Sequence, residues 1–508
     1  MKYLSRRELL IAGAGTLVLA ACGTTTKGAA PGSPVSPSDP AVAAREKLRH
    51  TATGRVSTAT ITAAPTTARV GGKEVSTWAF GSAPGQGGLR LTAGDTLEAR
   101  FVNRLDAANT IHWHGIALRN DMDGVHDLTQ AAVEPGGEFT YRFVVPDPGT
   151  YWFHPHMGLE LDRGLYAPLI VEDPNDASGA DVDATLLLDD WLDGYGRTQQ
   201  DVLAELKATG GHSGHDMGDM GGGMGGMGGM GGMGGGMDGM GGMGSLAGDV
   251  TYPLHVINGR GPTERDTVTA RAGQRVRLRL INAGSDTAYR VAVAGHRLTI
   301  THTDGFPITP VEVDAVVLGM GERYDVLLTA ASGAFPIVAV PEGKDDPAAE
   351  AVLRTSDSAS SPAVGSRPSE LDGKIAGYHE LHATDAARLP SRQPDRKKSI
   401  ALTASSTGYV HGIDGRSFPD TEPITVDQGE RLRLTIMNDT MMFHPIHLHG
   451  HTFQMVEQGS ARKDTVNVPS MGAVVVDIEA DNPGQWMLHC HNTYHLETGM
   501  ATVFSYQS

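Results

Sequence analysis

From about residue 55 onward, apolar and polar residues alternate in short runs rich in Thr, Val and Leu, each punctuated by Gly, Pro, Asn or Asp. Alternation with a period of two puts one set of side chains on each face of a strand, so these runs predict sandwiched sheets. Few long segments carry the period of an amphipathic helix. Three runs share one phrase, a turn glycine, an alternating strand and a closing asparagine. They are Leu91-Thr92-Ala93-Gly94-Asp95-Thr96-Leu97 leading to Asn103, Ala270-Arg271-Ala272-Gly273-Gln274-Arg275-Val276 leading to Asn282, and Val426-Asp427-Gln428-Gly429-Glu430-Arg431-Leu432 leading to Asn438. Their spacing of about 155 to 180 residues implies three related β-sandwiches rather than a solenoid of small repeats. The predicted fold class is all-β.

A chain of 508 residues exceeds what one hydrophobic core organises, and two to four domains are expected. The reading divides it into an export signal (1–22), a flexible tether (23–50), a first sandwich (51–190), a Gly/Met-rich insert (205–248), a second sandwich with a linker (249–390) and a third sandwich (391–508). The polar linker, 347–394, is expected to carry a short helix. A formal charge of -18 argues against a nucleic-acid partner and suits attraction of cations.

The N-terminus carries Ser5-Arg6-Arg7-Glu8-Leu9-Leu10, an apolar stretch and then Leu19-Ala20-Ala21-Cys22. The stretch is too short to span a bilayer and reads as an export signal. Its twin arginines resemble a Tat signal, and Leu-Ala-Ala-Cys resembles a bacterial lipobox with Cys22 lipidated; the alternative is an ordinary cleaved signal that discards Cys22. Either way the protein is expected outside the cytoplasm; with Cys22 lipidated it is expected on the extracytoplasmic face of the cell membrane, held there by that lipid anchor alone. Cys490 is then the sole remaining cysteine, so no internal disulfide can form.

Between the first two repeats, nine methionines alternate with glycines from Met217 to Met243, after His212-Ser213-Gly214-His215-Asp216. Such a run cannot build a core. Thioether sulfur selects Cu(I), and His and Asp accept Cu(II). His212, His215, Met217, Met220, Met224, Met227 and Met230 are therefore accessory copper candidates, the alternative being a plain spacer.

The chemistry concentrates in four histidine groups: His112-Trp113-His114-Gly115, His154-Pro155-His156, His444-Pro445-Ile446-His447-Leu448-His449, and His489-Cys490-His491 followed by His495 and Met500. A strand sends His489 and His491 to one face and Cys490 to the other, so one tripeptide can touch two metal sites. A soft thiolate, two imidazoles and a weak axial thioether form a blue-copper electron-transfer site. One H-x-H pair is weak evidence, since two histidines on a strand face are as often structural; four groups, all in the first and third repeats, form a joint signal.

These motifs, complete and in order, resemble those of the three-domain bacterial multicopper oxidases, the group of laccase-like enzymes, cuprous oxidases and copper-resistance oxidases. The resemblance covers nearly all of the mature chain and implies three cupredoxin-like Greek-key domains with four copper ions per chain. It implies that His444, Cys490 and His495 bind type-1 copper with Met500 axial, and that His112 and His447 hold type-2 copper. His114, His154, His156, His449, His489 and His491 would hold the type-3 pair. The first and third domains must then pack together, with the second as a structural spacer. Cys490 would pass each electron through the backbone to His489 and His491, and four one-electron oxidations would match reduction of O2 to two waters. Asp123 matches an acidic position beside type-2 copper and is the proton-relay candidate, with Asp121 second. Many relatives carry Glu directly after the last type-1 histidine, whereas this chain has Leu496 there and Glu497 one step later. His451, His126, His255, His296, His302 and His411 are left as structural.

For the electron donor the leading expectation is Cu(I), as copper detoxification, with Met442 near His444 as a further accessory candidate; Thr440 stands where an acid is expected, with Asp439 one residue further away. The second is a general laccase with phenols or aromatic amines as donors. A copper-buffering or electron-transfer protein is the non-enzymatic alternative, and it leaves eight ligands unexplained. A monomer is expected.

Overall fold

The structure is a computed structural model in which residues 32–49, 53–211 and 247–508 are described. Six sheets pair into three sandwiches. In the first, a sheet of Lys73–Ala79, Val56–Val70, Thr96–Asn103 and Glu138–Val144 faces a sheet of Leu89–Thr92, Ala167–Glu172, Gly149–His154 and His112–His114. The second and third sandwiches each combine a six-stranded with a five-stranded sheet.

The repeated phrase occupies the same place in each. Thr96–Asn103, Arg275–Asn282 and Arg431–Asn438 each run parallel to the opening strand of their own sandwich, Val56–Val70, Val182–Trp191 and Arg396–Ala404. The closing asparagines are buried and do one job three times. Asn103 Nδ2 donates to the carbonyls of Ala107 and Val133, Asn282 Nδ2 to those of Thr287 and Leu318, and Asn438 Nδ2 to those of Met442 and Val468. Each Oδ1 accepts the amide two residues on, at Leu105, Gly284 and Thr440. A side-chain amide has both donors and acceptors, so one Asn satisfies main-chain groups that a strand leaves unpaired where it turns.

Three segmental expectations change. Val182–Trp191 pairs with Leu254–Ile257 and Arg275–Asn282, so it opens the second sandwich and the first ends with Ala167–Glu172. The Asp-rich loop 173–181 is the true connection. Residues 205–211 are not part of the insert: they finish a helix, Gln199–Thr209, that Thr198 and Asp201 cap reciprocally and Gly210 ends; such a cap is worth about 1 kcal/mol. The linker yields a strand, Ala349–Arg354, inside the second sandwich, and its short helical segments are two 3-10 helices, Ser369–Asp372 and Tyr378–Glu380.

The tether is in part structured. Val35 and Val42 are buried, Pro34 bridges to Gln507, and the helix Pro40–Arg49 sends Arg45 to Asp481 and Glu46 to the amide of Val144. Two apolar side chains in a polar run suffice to lay it across the first and third domains. No helix among the described residues is long and apolar enough to cross a membrane.

The first and third domains meet directly. Asn120 Nδ2 donates to the carbonyl of Gln485 at 2.6 Å and its Oδ1 accepts that residue's amide at 3.1 Å. Gln485 begins the strand Gln485–Cys490, so this reciprocal pair sets the histidine-bearing strand against the first domain.

Candidate metal centre

Strand register brings the histidine groups together. His112–His114 pairs antiparallel with Gly149–His154, placing His112 opposite His154. In the third domain His444–Leu448 pairs with Gln485–Cys490, placing His447 opposite His489 and Ile446 opposite Cys490. Alternation along Gln485–Cys490 then divides the tripeptide as its sequence implies.

On one side, Cys490 Sγ lies 3.6 Å from His444 Nδ1 and 3.6 Å from His495 Nδ1, which are 3.1 Å apart. A point equidistant from the three lies about 2 Å from each, the length of a metal–imidazole bond. All three side chains are buried, as is Met500, whose carbonyl accepts the Cys490 amide at 3.0 Å. Asn492 caps the short helix Thr493–Glu497 that carries His495, and donates to Asp286 of the second domain at 2.6 Å.

On the other side, three clusters form: His112, His114 and His447; His114, His154 and His491; His156, His449 and His489. Their hydrogen bonds fix which nitrogen is free. Nδ1 donates to a main-chain oxygen in His112 (Asp123, 3.0 Å), His447 (Asp464, 2.9 Å), His154 (Pro155, 2.9 Å) and His489 (Cys490, 2.9 Å), and to Asp123 Oδ2 in His449 at 3.0 Å. In these five a lone pair is left on Nε2, the arrangement in which metal-ligating imidazoles are held. His114 is reversed: Nε2 contacts Asp464 Oδ1 at 3.1 Å and Nδ1 is free.

The fit to metal rests on buried atoms without partners. His114 Nδ1, His154 Nε2, His156 Nε2 and both nitrogens of His491 are buried and make no hydrogen bond, although an unpaired buried polar atom is costly. Where lone pairs do meet, as His449 Nε2 meets His489 Nε2 at 3.0 Å, neither ring has a hydrogen to give. A cation between them resolves the conflict. Burial, reinforced by neighbouring imidazoles, holds His114, His154, His156, His444, His449, His489 and His491 well below the ordinary histidine range. They are neutral, as ligands must be. At His495 burial acts in the same downward sense, but hydrogen bonds to Asp249 and Cys490 outweigh it and push the ring up to about 10.

Asp123 sits within the cluster, wholly buried, with Oδ1 3.2 Å from His112 Nδ1 and Oδ2 at His449. Asp121 does not reach the cluster; both its oxygens take the Arg119 guanidinium. Leu496 packs beside Val125 and Met487, and Glu497 is exposed. His451 is satisfied by the His449 carbonyl and Tyr506. Met442 packs with Val317, Met320 and Phe443, while its neighbour Met441 is 84% exposed. Cys22 and the accessory candidates His212, His215, Met217, Met220, Met224, Met227 and Met230 lie outside the described residues.

Four participants carry no sequence signal. Asp464 supports His114 and His447, and Arg323 of the second domain grips Asp464. Asp249 accepts from His495 Nε2 at 3.0 Å and from Tyr409 at 2.6 Å. His411 lies 4.1 Å from His495, centroid to centroid. The second domain is therefore more than a spacer. Gly211 also lies against Tyr409, as does Asp249, so both of these residues adjoin the thiolate site.

A β-sandwich chain with a thiolate–bis-imidazole site and an interdomain imidazole cluster is a copper oxidoreductase. Three family models, each described as multicopper oxidase, match residues 62–176, 238–358 and 389–508. The chain is 44% identical to multicopper oxidase MmcO of Mycobacterium tuberculosis over 99% of its own length and 96% of that protein's. It is 26% identical to copper resistance protein A of Escherichia coli, over 81% of this chain and 86% of that one. Among solved structures, a multi-copper oxidase from Pseudomonas thermotolerans matches with a TM-score of 0.65 and 27% identity, covering 89% of this chain and 99% of that chain. Fet3p, a multicopper oxidase that functions in iron import, matches in fold at a TM-score of 0.74 and 19% identity, over 89% of this chain and 90% of that one. The chain belongs to the multicopper oxidase family.

Proposed function

We propose that the protein oxidises Cu(I) to Cu(II) at the cell envelope, coupling four such oxidations to reduction of one O2, with four protons, to two waters. The observation that carries the reading is the pair Met441 and Met471, 84% and 66% exposed, both adjoining Thr440, one along the chain and one through its main-chain amide. The Thr440 hydroxyl lies 2.7 Å from Nε2 of His444, and the Thr440 carbonyl accepts the Met471 amide at 3.1 Å. Exposed thioethers at that edge offer soft ligands to Cu(I) where an electron need travel only through one imidazole.

In this reading His444, Cys490, His495 and Met500 hold type-1 copper, and His112 and His447 hold type-2. His114, His154 and His491, with His156, His449 and His489, hold the type-3 pair, four ions in all. Copper supplies the one-electron couple and the site of O2 reduction. Cys490 joins the two centres: its side chain belongs to one, its flanking residues to the other, and its carbonyl accepts from His489. Asp123, touching two ligand rings, holds and gives a proton at its carboxylate. The insert 212–246, whose flanks adjoin Tyr409, would gather Cu(I), and export with lipidation at Cys22 would set the enzyme at the membrane surface.

Phenol oxidation is a second reading, favoured by Asp249. A carboxylate at the His495 edge can accept the proton that a phenol releases as it gives up its electron. Oxygen uptake with Cu(I) and with a phenol separates the two. Met441→Leu with Met471→Leu is expected to slow the cuprous reaction roughly tenfold and leave the phenol rate unchanged, consistent with loss of soft ligands. Equal slowing would remove the cuprous role of that edge. One copper per chain and no oxygen uptake would leave only an electron carrier.

A further inference from the structure

The turn 319–322 brings the second domain against the interdomain imidazoles and leads into the strand Arg323–Thr329. Gly321 is pressed against two of them: a side-chain carbon there would stand 2.9 Å from His491 Cδ2 and 3.0 Å from His114 Cε1. Two residues on, Arg323 is wholly buried. A guanidinium is costly to remove from water, so its partners explain its presence. Nη1 and Nη2 donate to the two oxygens of Asp464 at 2.7 and 2.6 Å, a two-pronged match that the point charge of lysine does not reproduce. Nε donates to the Thr150 carbonyl at 3.1 Å, and Nη1 to that of Gly321 at 3.1 Å.

These partners span the molecule. Thr150 lies in the first domain on the strand that ends at His154, Gly321 in the second, and Asp464 in the third. Asp464 in turn meets His114 Nε2 with its carboxylate and His447 Nδ1 with its carbonyl. His114 comes from the first domain and His447 from the third, so Arg323 and Asp464 brace both halves of one cluster.

The surroundings hold this pair in place. Lys463 Nζ lies 3.1 Å from Asp304 and 3.0 Å from Glu322. Asp304 Oδ2 accepts the amides of Asp464 and Thr465 at 3.2 Å each, and Glu322 accepts from Tyr378 at 2.7 Å and Asn467 at 2.6 Å. Two buried cations face three buried carboxylates, so the excess charge is negative and sits beside imidazoles that gather cations.

We propose that Arg323 is a positioning residue for the interdomain copper cluster. By fixing Asp464 it sets the ring orientation of His114 and His447, and by holding Thr150 it brings the first domain's ligands into register with the third's. His114 then presents Nδ1 because Asp464 already takes its Nε2 hydrogen. This rests on the reading of the histidines as copper ligands and is independent of the electron donor.

The test compares the full chain with Arg323→Lys and Asp464→Asn after copper loading, by copper-to-protein ratio, blue absorbance and electron paramagnetic resonance. His444, Cys490 and His495 all lie in the third domain, so both variants are expected to keep the blue band while losing the type-2 signal and most copper beyond the first ion. Arg323→Lys keeps the charge and loses the fork, so its failure to rescue separates orientation from charge balance. A full copper complement with an unchanged resonance spectrum in Arg323→Lys would overturn the proposal. So would loss of the blue band in equal proportion, which would make Arg323 a general support of the fold. Absence of the type-2 resonance from the unaltered chain, with only one copper bound, would instead overturn the ligand reading itself, and the proposal with it.

Discussion

His112 and His447 aim their Nε2 atoms at each other across 3.4 Å, while each has already given its Nδ1 hydrogen to a main-chain oxygen. Two lone pairs held this close repel unless a cation lies between them. The protein spends main-chain acceptors at Asp123 and Asp464 to keep both rings in that orientation, which only a bound metal rewards.

His447→Gln is therefore expected to lose the type-2 resonance signal while keeping the blue band, since His444, Cys490 and His495 are untouched. Oxygen uptake should fall with the signal. A variant with an unaltered resonance spectrum would exclude this pair as type-2 ligands.

Cys490→Ser removes the one soft anion from the thiolate site and changes the side-chain volume little. The fold is expected to persist, the blue colour to vanish, and oxidation of Cu(I) and phenol to stop together. Absorbance and oxygen uptake check this, and a retained full rate would refute the route through Cys490.

Much of this site could be read along the chain because each ligand pair is local. Residues two apart on a strand share a face, so His112 with His114 and His489 with His491 needed no tertiary information. The three sandwiches were legible for a similar reason, since the closing Asn103, Asn282 and Asn438 answer a local need of the strand end. Arg323, Asp464, Asp249 and His411 had no such mark. Arg323 and Asp249 reach sites in other domains, Asp464 joins ligands of two domains, and His411 meets His495 only through the tertiary fold; an isolated Asp, Arg or His in the sequence looks like any solvated residue. The boundary near residue 190 went astray because the loop 173–181 resembles every other polar turn. Val35 and Val42 were hidden by the Ala/Pro/Ser composition around them.

Glu160 offers a test by pH. Burial, opposed by Arg163 and by a hydrogen bond from Asn109, pushes its carboxyl up to about 8. The folded state thus disfavours the ionised form. Its contribution to stability is fully present below the unfolded carboxyl range, near pH 4.5, and is lost as pH rises from there towards 8. Glu160→Gln cannot ionise. Its unfolding free energy, read from denaturant titrations, should match that of the unaltered protein near pH 4.5 and exceed it increasingly towards pH 8, by on the order of a few kcal/mol at most. Parallel curves across that range would show that Glu160 ionises freely in the fold.

Asp123 carries the most demanding expectation, because its carboxylate touches His112 and His449 and, unlike that of Asp464, is not gripped by a guanidinium. Its carbonyl and Oδ2 hold His112 and His449, whose rings stack 3.7 Å apart, while Oδ1 has no hydrogen-bond partner. A carboxylate whose Oδ2 takes the His449 hydrogen, with Oδ1 3.2 Å from His112 Nδ1 but not hydrogen-bonded, can orient a ligand and still carry a proton. Asp123→Asn keeps an acceptor for His449 but cannot deliver a proton. Copper content and the blue band should therefore survive, reduction by Cu(I) should proceed at its usual rate, and reoxidation by O2 should slow by roughly 10²-fold or more, the scale of general acid catalysis. Stopped-flow recovery of the blue band after anaerobic reduction separates the two half-reactions. The solvent isotope effect and the pH dependence of the recovery phase should both change, which a purely structural role would leave alone. Recovery at the unaltered rate would assign proton delivery to another group and leave Asp123 as a brace for His112 and His449.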